Sequence, residues 1–298
     1  MAKAVAPRVR RSRVREALAG YALLLPSLIG IACFLILPIG IVAWLSFQKW
    51  DLIGSPKFVG GANWQAVLAD PAFANTLWVT ILFVVLVIPL QTVLGLAVAV
   101  MLSRKLPGSM LLRVIYVIPW VCAPLALGVV WNVIFQPTGG ALNAIIDTRV
   151  EWLSDPNLAL PAVAFVTMWG QIGYISLFFM AGLAAIPNEV LEAARMDNAG
   201  PWRTFWYIKL PLLRPTLFFV LVTSIIYTFQ VVDSIFALTG GGPGTATDVI
   251  AFRIYKLAFV NFNMGQAAVT ALVLFGVLIV VTVAQQLYFR RRITYDLS

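Results

Sequence analysis

The chain has 298 residues, of which 61% are hydrophobic and 11% charged. A soluble domain carries roughly a quarter charged residues, so this composition excludes an ordinary water-soluble enzyme and describes a chain whose main solvent is lipid. The net charge of +9 would point to nucleic acid in a soluble protein, but here the basic residues gather in particular loops and no nucleic-acid partner is expected.

Residues 1–19 are basic, with Lys3, Arg8, Arg10, Arg11, Arg13 and Arg15 set against Glu16. No small-residue cleavage site follows the next apolar stretch, so the expectation is a retained cytoplasmic tail. Six apolar runs then follow, at about 20–47, 75–103, 113–135, 158–185, 216–239 and 264–289. Each is near or above the ~20 residues that cross ~30 Å of hydrocarbon. Residues 290–298 form a second short tail. Pro38, Pro89, Pro119 and Pro124 lie inside spans, where they predict bends held by neighbouring helices. Cys33 and Cys122 fall in apolar runs and are expected to be packing residues rather than a disulfide.

An even number of crossings puts both termini on one side. That side collects sixteen Lys and Arg residues, against five on the other. The positive-inside rule therefore predicts cytoplasmic termini and a cytoplasmic 186–215 loop. The outer loops 48–74, 136–157 and 240–263 are rich in Gly, Pro, Asp, Asn and Trp and are expected to form a rim for another protein. Asp147, Glu151 and Asp155 in the second of them read as a solvated face. No inverted repeat of the kind common in secondary transporters is visible.

The loop 186–215 is an island of charge and reads as helix–turn–helix. Asn188 is a suitable N-cap and Glu189 suits the first turn. Asn198 and Gly200 are residue types that accept the left-handed turn ending a helix. Pro201 suits the start of a second helix, and Pro211 is expected to end it.

The fifth span carries a polar stripe. At 100° per residue, Thr223, Tyr227, Gln230 and Ser234 fall within about 60° of one another, with Asp233 roughly another 60° round. The rise from Thr216 to Asp233 is about 25 Å, near the far end of the crossing. These groups either line a path for a polyhydroxylated solute or bond to neighbouring helices. Asn132, Gln171, Tyr174 and Gln266 are further polar groups for which helix–helix hydrogen bonds compete with the same role. The absence of histidine, of a paired nucleophile and of a Gly-x-x-x-x-Gly-Lys-Ser/Thr motif leaves no catalytic, cofactor or metal site expected in this chain.

The loop also resembles a known family. Glu192-Ala193-Ala194, then Asn198, Ile208, Leu210 and Pro211, match the cytoplasmic loop of the membrane subunits of binding-protein-dependent ABC importers. That pattern has Gly where this chain has Asn198, a departure that tests how closely the turn packs on its partner. Further stretches are similar to the sugar branch, the MalF- and UgpA-like permeases. Among them are Phe58-Val59-Gly60 with Asn63-Trp64, Ala181-Gly182-Leu183 with Ile186-Pro187, and Thr239-Gly240-Gly241-Gly242-Pro243. The resemblance implies an all-α integral membrane protein of six transmembrane helices with a coupling helix between the fourth and fifth, the type I importer permease fold. It implies coupling through Glu192, Ala193, Ala194, Asp197, Asn198, Ala199, Ile208, Leu210 and Pro211. The partners it implies are a second permease, two ATPase subunits that hold ATP and Mg, and an extracytoplasmic sugar-binding protein. The substrate it implies is a sugar, with trehalose-type disaccharide permeases the nearest likeness. The competing class is an ion- or proton-coupled secondary transporter using Asp233, marked by transport that survives ATP depletion and collapses with an uncoupler.

Overall fold

The computed structural model describes residues 8–103 and 108–290. Residues 1–7 and 291–298 of the two expected tails, and Arg104 and Lys105, lie outside the described residues. The chain opens with α1 (Arg8–Ile31), a π-helical segment (Ala32–Ile36) and α2 (Leu37–Leu45) in one run. Pro38 lacks the N–H that would bond back to Phe34, and its ring would crowd that carbonyl. The π turn immediately before it widens the helix there, with Leu37 N–H reaching the Ala32 carbonyl. Almost none of the apolar surface of Ala19–Leu45 is covered by the rest of the described residues.

A two-stranded hairpin, β1 (Gln48–Lys49) and β2 (Lys57–Phe58), pairs antiparallel with Gln48 opposite Phe58. The short α3 (Ala62–Leu68) locks onto it. The buried Asn63 amide donates to the carbonyls of Ser46 (2.9 Å) and Gln48 (2.8 Å). Next come α4 (Pro71–Ser103), α5 (Ser109–Val121), α6 (Pro124–Ile134), α7 (Ala141–Ile146) and α8 (Ala159–Ala184). The loop that follows holds α9 (Asn188–Met196), α10 (Pro201–Thr204), a π segment (Phe205–Lys209) and α11 (Leu210–Leu212). The chain closes with α12 (Arg214–Phe229), α13 (Asp233–Leu238), α14 (Ile250–Tyr255) with its π extension Lys256–Val260, and α15 (Met264–Arg290).

The α4–α8 pair is the spine. Val79, Phe83 and Val87 of α4 meet Val163, Val166 and Met168 of α8, with Ile235 and Phe252 completing that core. Lower down, Ala99 packs with Ile175, Phe179 and Val220. In lipid, apolar side chains gain little by leaving the solvent, so close backbone approach decides helix pairing. Gly173 shows it: a Cβ there would fall on the Tyr116 carbonyl oxygen, so α5 crosses α8 at main-chain contact.

Among the described residues, four helices are long and apolar enough to cross a membrane: Ala19–Leu45, Pro71–Ser103, Ala159–Ala184 and Met264–Arg290. Two bent pairs raise the number to six. The first, Ser109–Val121 with Pro124–Ile134, turns through 97°. Pro119 and Pro124 bracket this break, where Cys122 is extended (ψ 145°), as the prolines in the expected third span foretell.

The second pair, Pro201–Leu212 with Arg214–Phe229, is bent by 65° and corrects the expected fifth span. Residues 216–239 are not one helix. After Phe229 the bonding tightens to i→i−3, Gln230 N–H to the Tyr227 carbonyl (3.1 Å) and Val231 N–H to that of Thr228 (3.4 Å), and Val232 leaves helical geometry (φ −125°) before Asp233 starts α13. A carboxylate in the first turn of the new helix meets its positive end. Angular spacing therefore does not carry from Tyr227 across to Asp233 and Ser234. The two cysteines are free, but both are exposed on the chain surface rather than packed.

Candidate functional site

The loop between α8 and α12 begins at the buried Ile186, and α9 follows with Glu189 in its first turn and Arg195 in its last. Asn188 is the first helical residue rather than the cap; Pro187 precedes it in extended geometry (ψ 138°) and supplies no side-chain cap. The helix ends in a Schellman motif. Asn198 is left-handed (φ 58°), its N–H donates to the Arg195 carbonyl at 3.0 Å, and Ala199 N–H reaches the Ala194 carbonyl at 2.9 Å. Asn198 thus makes the left-handed turn that glycine takes most easily, at a modest conformational cost. Gly200 is extended instead (φ −61°, ψ 165°).

Pro201 opens the second helix as expected, but Pro211 does not close it. The π segment Phe205–Lys209 absorbs Pro211 as the earlier one absorbs Pro38, and the helix runs on to Leu212. Glu192, Ala193, Asp197 and Asn198 are exposed at the surface of the loop, with Met196 beside them at 87% exposure. Ala194 faces inward and is buried, so a bulky residue there would first disturb the loop's own packing. Ala199, Ile208, Leu210 and Pro211 are half-buried. A groove of about 1040 Å³ separates this loop from the end of α4, with Val93, Leu96 and Met101 on one wall and Trp202, Phe205 and Trp206 on the other.

The polar residues inside the bundle divide. Thr223 and Tyr227 of α12, with Gln230 just past its end, meet Gln171 and Tyr174 of α8 around one cavity of about 350 Å³. Trp120 of α5 forms its aromatic wall, stacked on Tyr174 with ring centroids 4.7 Å apart and planes at 18°. Tyr227 and Gln230 also border a second cavity of about 150 Å³ that Asp233 closes. Ser234 is buried and touches a small void shared with Tyr227 and Gln171. The Thr223 hydroxyl is already spent within its own helix, on the carbonyls of Phe219 (2.9 Å) and Val220 (3.1 Å).

Two of the polar groups lie elsewhere. The Asn132 amide donates to the carbonyls of Ala237 (3.3 Å) and Leu238 (3.2 Å), tying α6 to the end of α13. Gln266 sits in the first turn of α15, where its N–H is capped by the Asn263 side chain at 3.2 Å.

Sequence reasoning missed two features. Gln91, in the middle of α4, also lines the larger cavity. It is 1% exposed, and its Oε1 has no hydrogen-bond partner. An amide inside a 33-residue apolar helix was signal enough to single it out. The other is a buried ionic knot in the last outer loop. Asp248, 1% exposed, accepts from the Thr76 hydroxyl (3.1 Å) and pairs with Lys256 (2.8 Å) and Arg253 (3.6 Å). Arg253 is paired in turn with Asp70. The knot fastens residues 240–249 to α4, where Thr80 Oγ1 also accepts from Ile250 N–H at 2.9 Å.

Comparison with known proteins fits this architecture. Residues 91–295 match the family of binding-protein-dependent transport system inner membrane components. The sn-glycerol-3-phosphate transport system permease protein UgpA of Agrobacterium fabrum is 37% identical over 280 residues, 92% of this chain and 96% of that one. UgpA of Yersinia pestis is 34% identical over 284 residues, covering 93% and 95%. Among solved structures, a permease chain of a bacterial alginate ABC transporter, crystallised with an alginate pentasaccharide-bound periplasmic protein, has the same fold. Its TM-score is 0.82 at 21% identity, over 96% of this chain and 98% of that one. A chain of the inward-facing MetNI methionine ABC transporter aligns less completely, with TM-score 0.55 at 18% identity over 75% and 97%. The family match and the near full-length relatives make the chain a member of the binding-protein-dependent transport system inner membrane components, the permease subunits of ABC importers.

Proposed function

We propose that this permease moves a sugar, a disaccharide such as trehalose, by alternating access driven by separate ATPase subunits. The observation that carries the reading is α9: a short, exposed helix with Glu192 outward, ended by a fixed left-handed turn, at one end of a helical bundle. Such a helix can seat in a groove of a partner and transmit its motion as a rigid piece, because the Schellman bonds and the buried Ala194 hold it to the chain behind.

In this reading both termini and the 186–215 loop face the cytoplasm, as the bias of basic residues requires. The working division of the chain is a basic tail over 1–19, the permease bundle over 20–289 and a short tail over 290–298. Two ATPase subunits carry ATP and Mg, one receiving α9 and the other the matching helix of a second permease. The cavity ringed by Tyr227, Gln230, Gln171 and Tyr174 is half of the solute path, and the second permease supplies the rest. An extracytoplasmic binding protein docks on the rim made by the hairpin, α7 and the 240–249 loop. The relatives named for sn-glycerol 3-phosphate, and the fold neighbour crystallised with an alginate-loaded protein, support a polyhydroxylated solute. Membership of an ABC importer family leaves Asp233 no ion-coupling task, and its first-turn position in α13 accounts for it.

The test is Glu192→Lys in the complex reconstituted with its ATPases and binding protein. The variant is expected to assemble and hydrolyse ATP while sugar uptake falls at least tenfold. Uptake per ATP equal to wild type would remove α9 from the coupling role.

A further inference from the structure

We infer that Gln91 is a specificity-determining residue that holds a ligand hydroxyl, in a path whose lining takes a solute without charge over one bearing a phosphate or carboxylate. The inference rests on the solute path proposed above and names what that path accepts. A buried amide oxygen without a partner costs about 1–3 kcal/mol, and an apolar side chain of the same shape on α4 would avoid that cost. Gln91 nevertheless stands 1% exposed with Oε1 unpartnered, at the wall of the cavity. A ligand hydroxyl, which both donates and accepts, satisfies an amide in either orientation of its head.

The surroundings point the same way. Trp120 and Tyr174 form a stacked pair, and Trp120 presents an apolar ring to the cavity beside the amides of Gln171 and Gln230. Aromatic faces with a few convergent amides suit a solute with C–H faces and hydroxyl edges. Across this cavity and the two that adjoin it, no lining residue is cationic, and Asp233 is the one charged side chain. An anion placed there would lose its hydration with no positive partner on this chain's wall, and would lie close to a carboxylate as well.

The experiment uses the assembled complex with its binding protein in proteoliposomes, with trehalose and sn-glycerol 3-phosphate as probes. Wild type is expected to import trehalose and to exclude the phosphate. Gln91→Met keeps the length of the side chain and removes its polar head. It is expected to raise the KM for trehalose about five- to tenfold, the loss of one neutral hydrogen bond, with the yield of assembled complex unchanged. A purely structural Gln91 would instead lower the yield of assembled complex and leave the KM of what assembles unchanged. Gln91→Asn, a gentler change that keeps an amide in the cavity, is expected to give an intermediate KM. A trehalose KM unchanged in both variants overturns the assignment of Gln91. Import of sn-glycerol 3-phosphate at least as efficient as that of trehalose overturns the selection for uncharged solutes, as does import of neither. Uptake that proceeds without ATP would overturn the importer reading itself, whatever the variants do.

Discussion

Removing the Asp248 carboxylate measures what holds the last outer loop to the bundle. Asp248→Ala deletes the acceptor of the Thr76 hydroxyl and the partner of Lys256 and Arg253. Breaking a fully buried ion pair costs about 3–5 kcal/mol. Two features reduce that here. Arg253 keeps Asp70, and the Lys256 side chain, 33% exposed, reaches water when released. The expected loss is therefore about 2–3 kcal/mol, taken from local opening of residues 240–250 rather than from the whole bundle. At about 1.4 kcal/mol per factor of ten, the Ile250 amide, held by Thr80 Oγ1, should exchange with deuterium about 30- to 140-fold faster. Amides in the middle of α8 should not change. Hydrogen exchange read by mass spectrometry on the complex in lipid nanodiscs provides the assay. Asp248→Asn, which can still accept from Thr76, should fall between the two. An Ile250 amide exchanging within threefold of wild type in Asp248→Ala would mean that the charges contribute nothing and that apolar packing around Val249 and Phe252 anchors the loop.

Two other perturbations follow from the geometry. Asn198→Gly should keep thermal stability and coupling near wild type, because glycine takes φ 58° freely, whereas Asn198→Val should cost about 1–2 kcal/mol; thermal melts of the purified complex separate them, and lost coupling in the glycine variant would mean that the Asn side chain itself touches the ATPase. Gly173→Ala places a methyl against the Tyr116 carbonyl, so α5 must retreat from α8 at a cost of about 1–3 kcal/mol; an unchanged melting temperature would show that this crossing is loose.

The long apolar runs made the helices at 71–103, 159–184 and 264–290 legible to within a few residues, since no other segment length satisfies a bilayer. Pro119 and Pro124 announced the bend between α5 and α6 for the same local reason, a missing donor and a crowded carbonyl. The break after Phe229 gave no such warning. Gln230, Val231 and Val232 include no Pro or Gly, yet Val232 leaves helical geometry and a new helix starts at Asp233. The cavity was half legible: Thr223, Tyr227, Gln230, Gln171 and Tyr174 do converge, while Asn132 lies apart because its amide serves two carbonyls on α13. The Asp248 knot joins residues 172 positions apart, a pairing that local pattern does not carry.

The π turns ahead of Pro38 and Pro211 have a bearing on direction as well as strain. Each lets one extra residue into its turn, with Leu37 N–H reaching back to Ala32 and Leu210 N–H to Phe205. Everything downstream is rotated by about one residue's arc, roughly 100°, from where an uninterrupted α-helix would aim it. Ile208 and Leu210 in the loop therefore do not share the azimuth that their spacing from Trp202 would assign. Along Pro201–Leu212, distance in the chain and compass bearing around the axis have come uncoupled, and the proline is the reason the extra residue is kept.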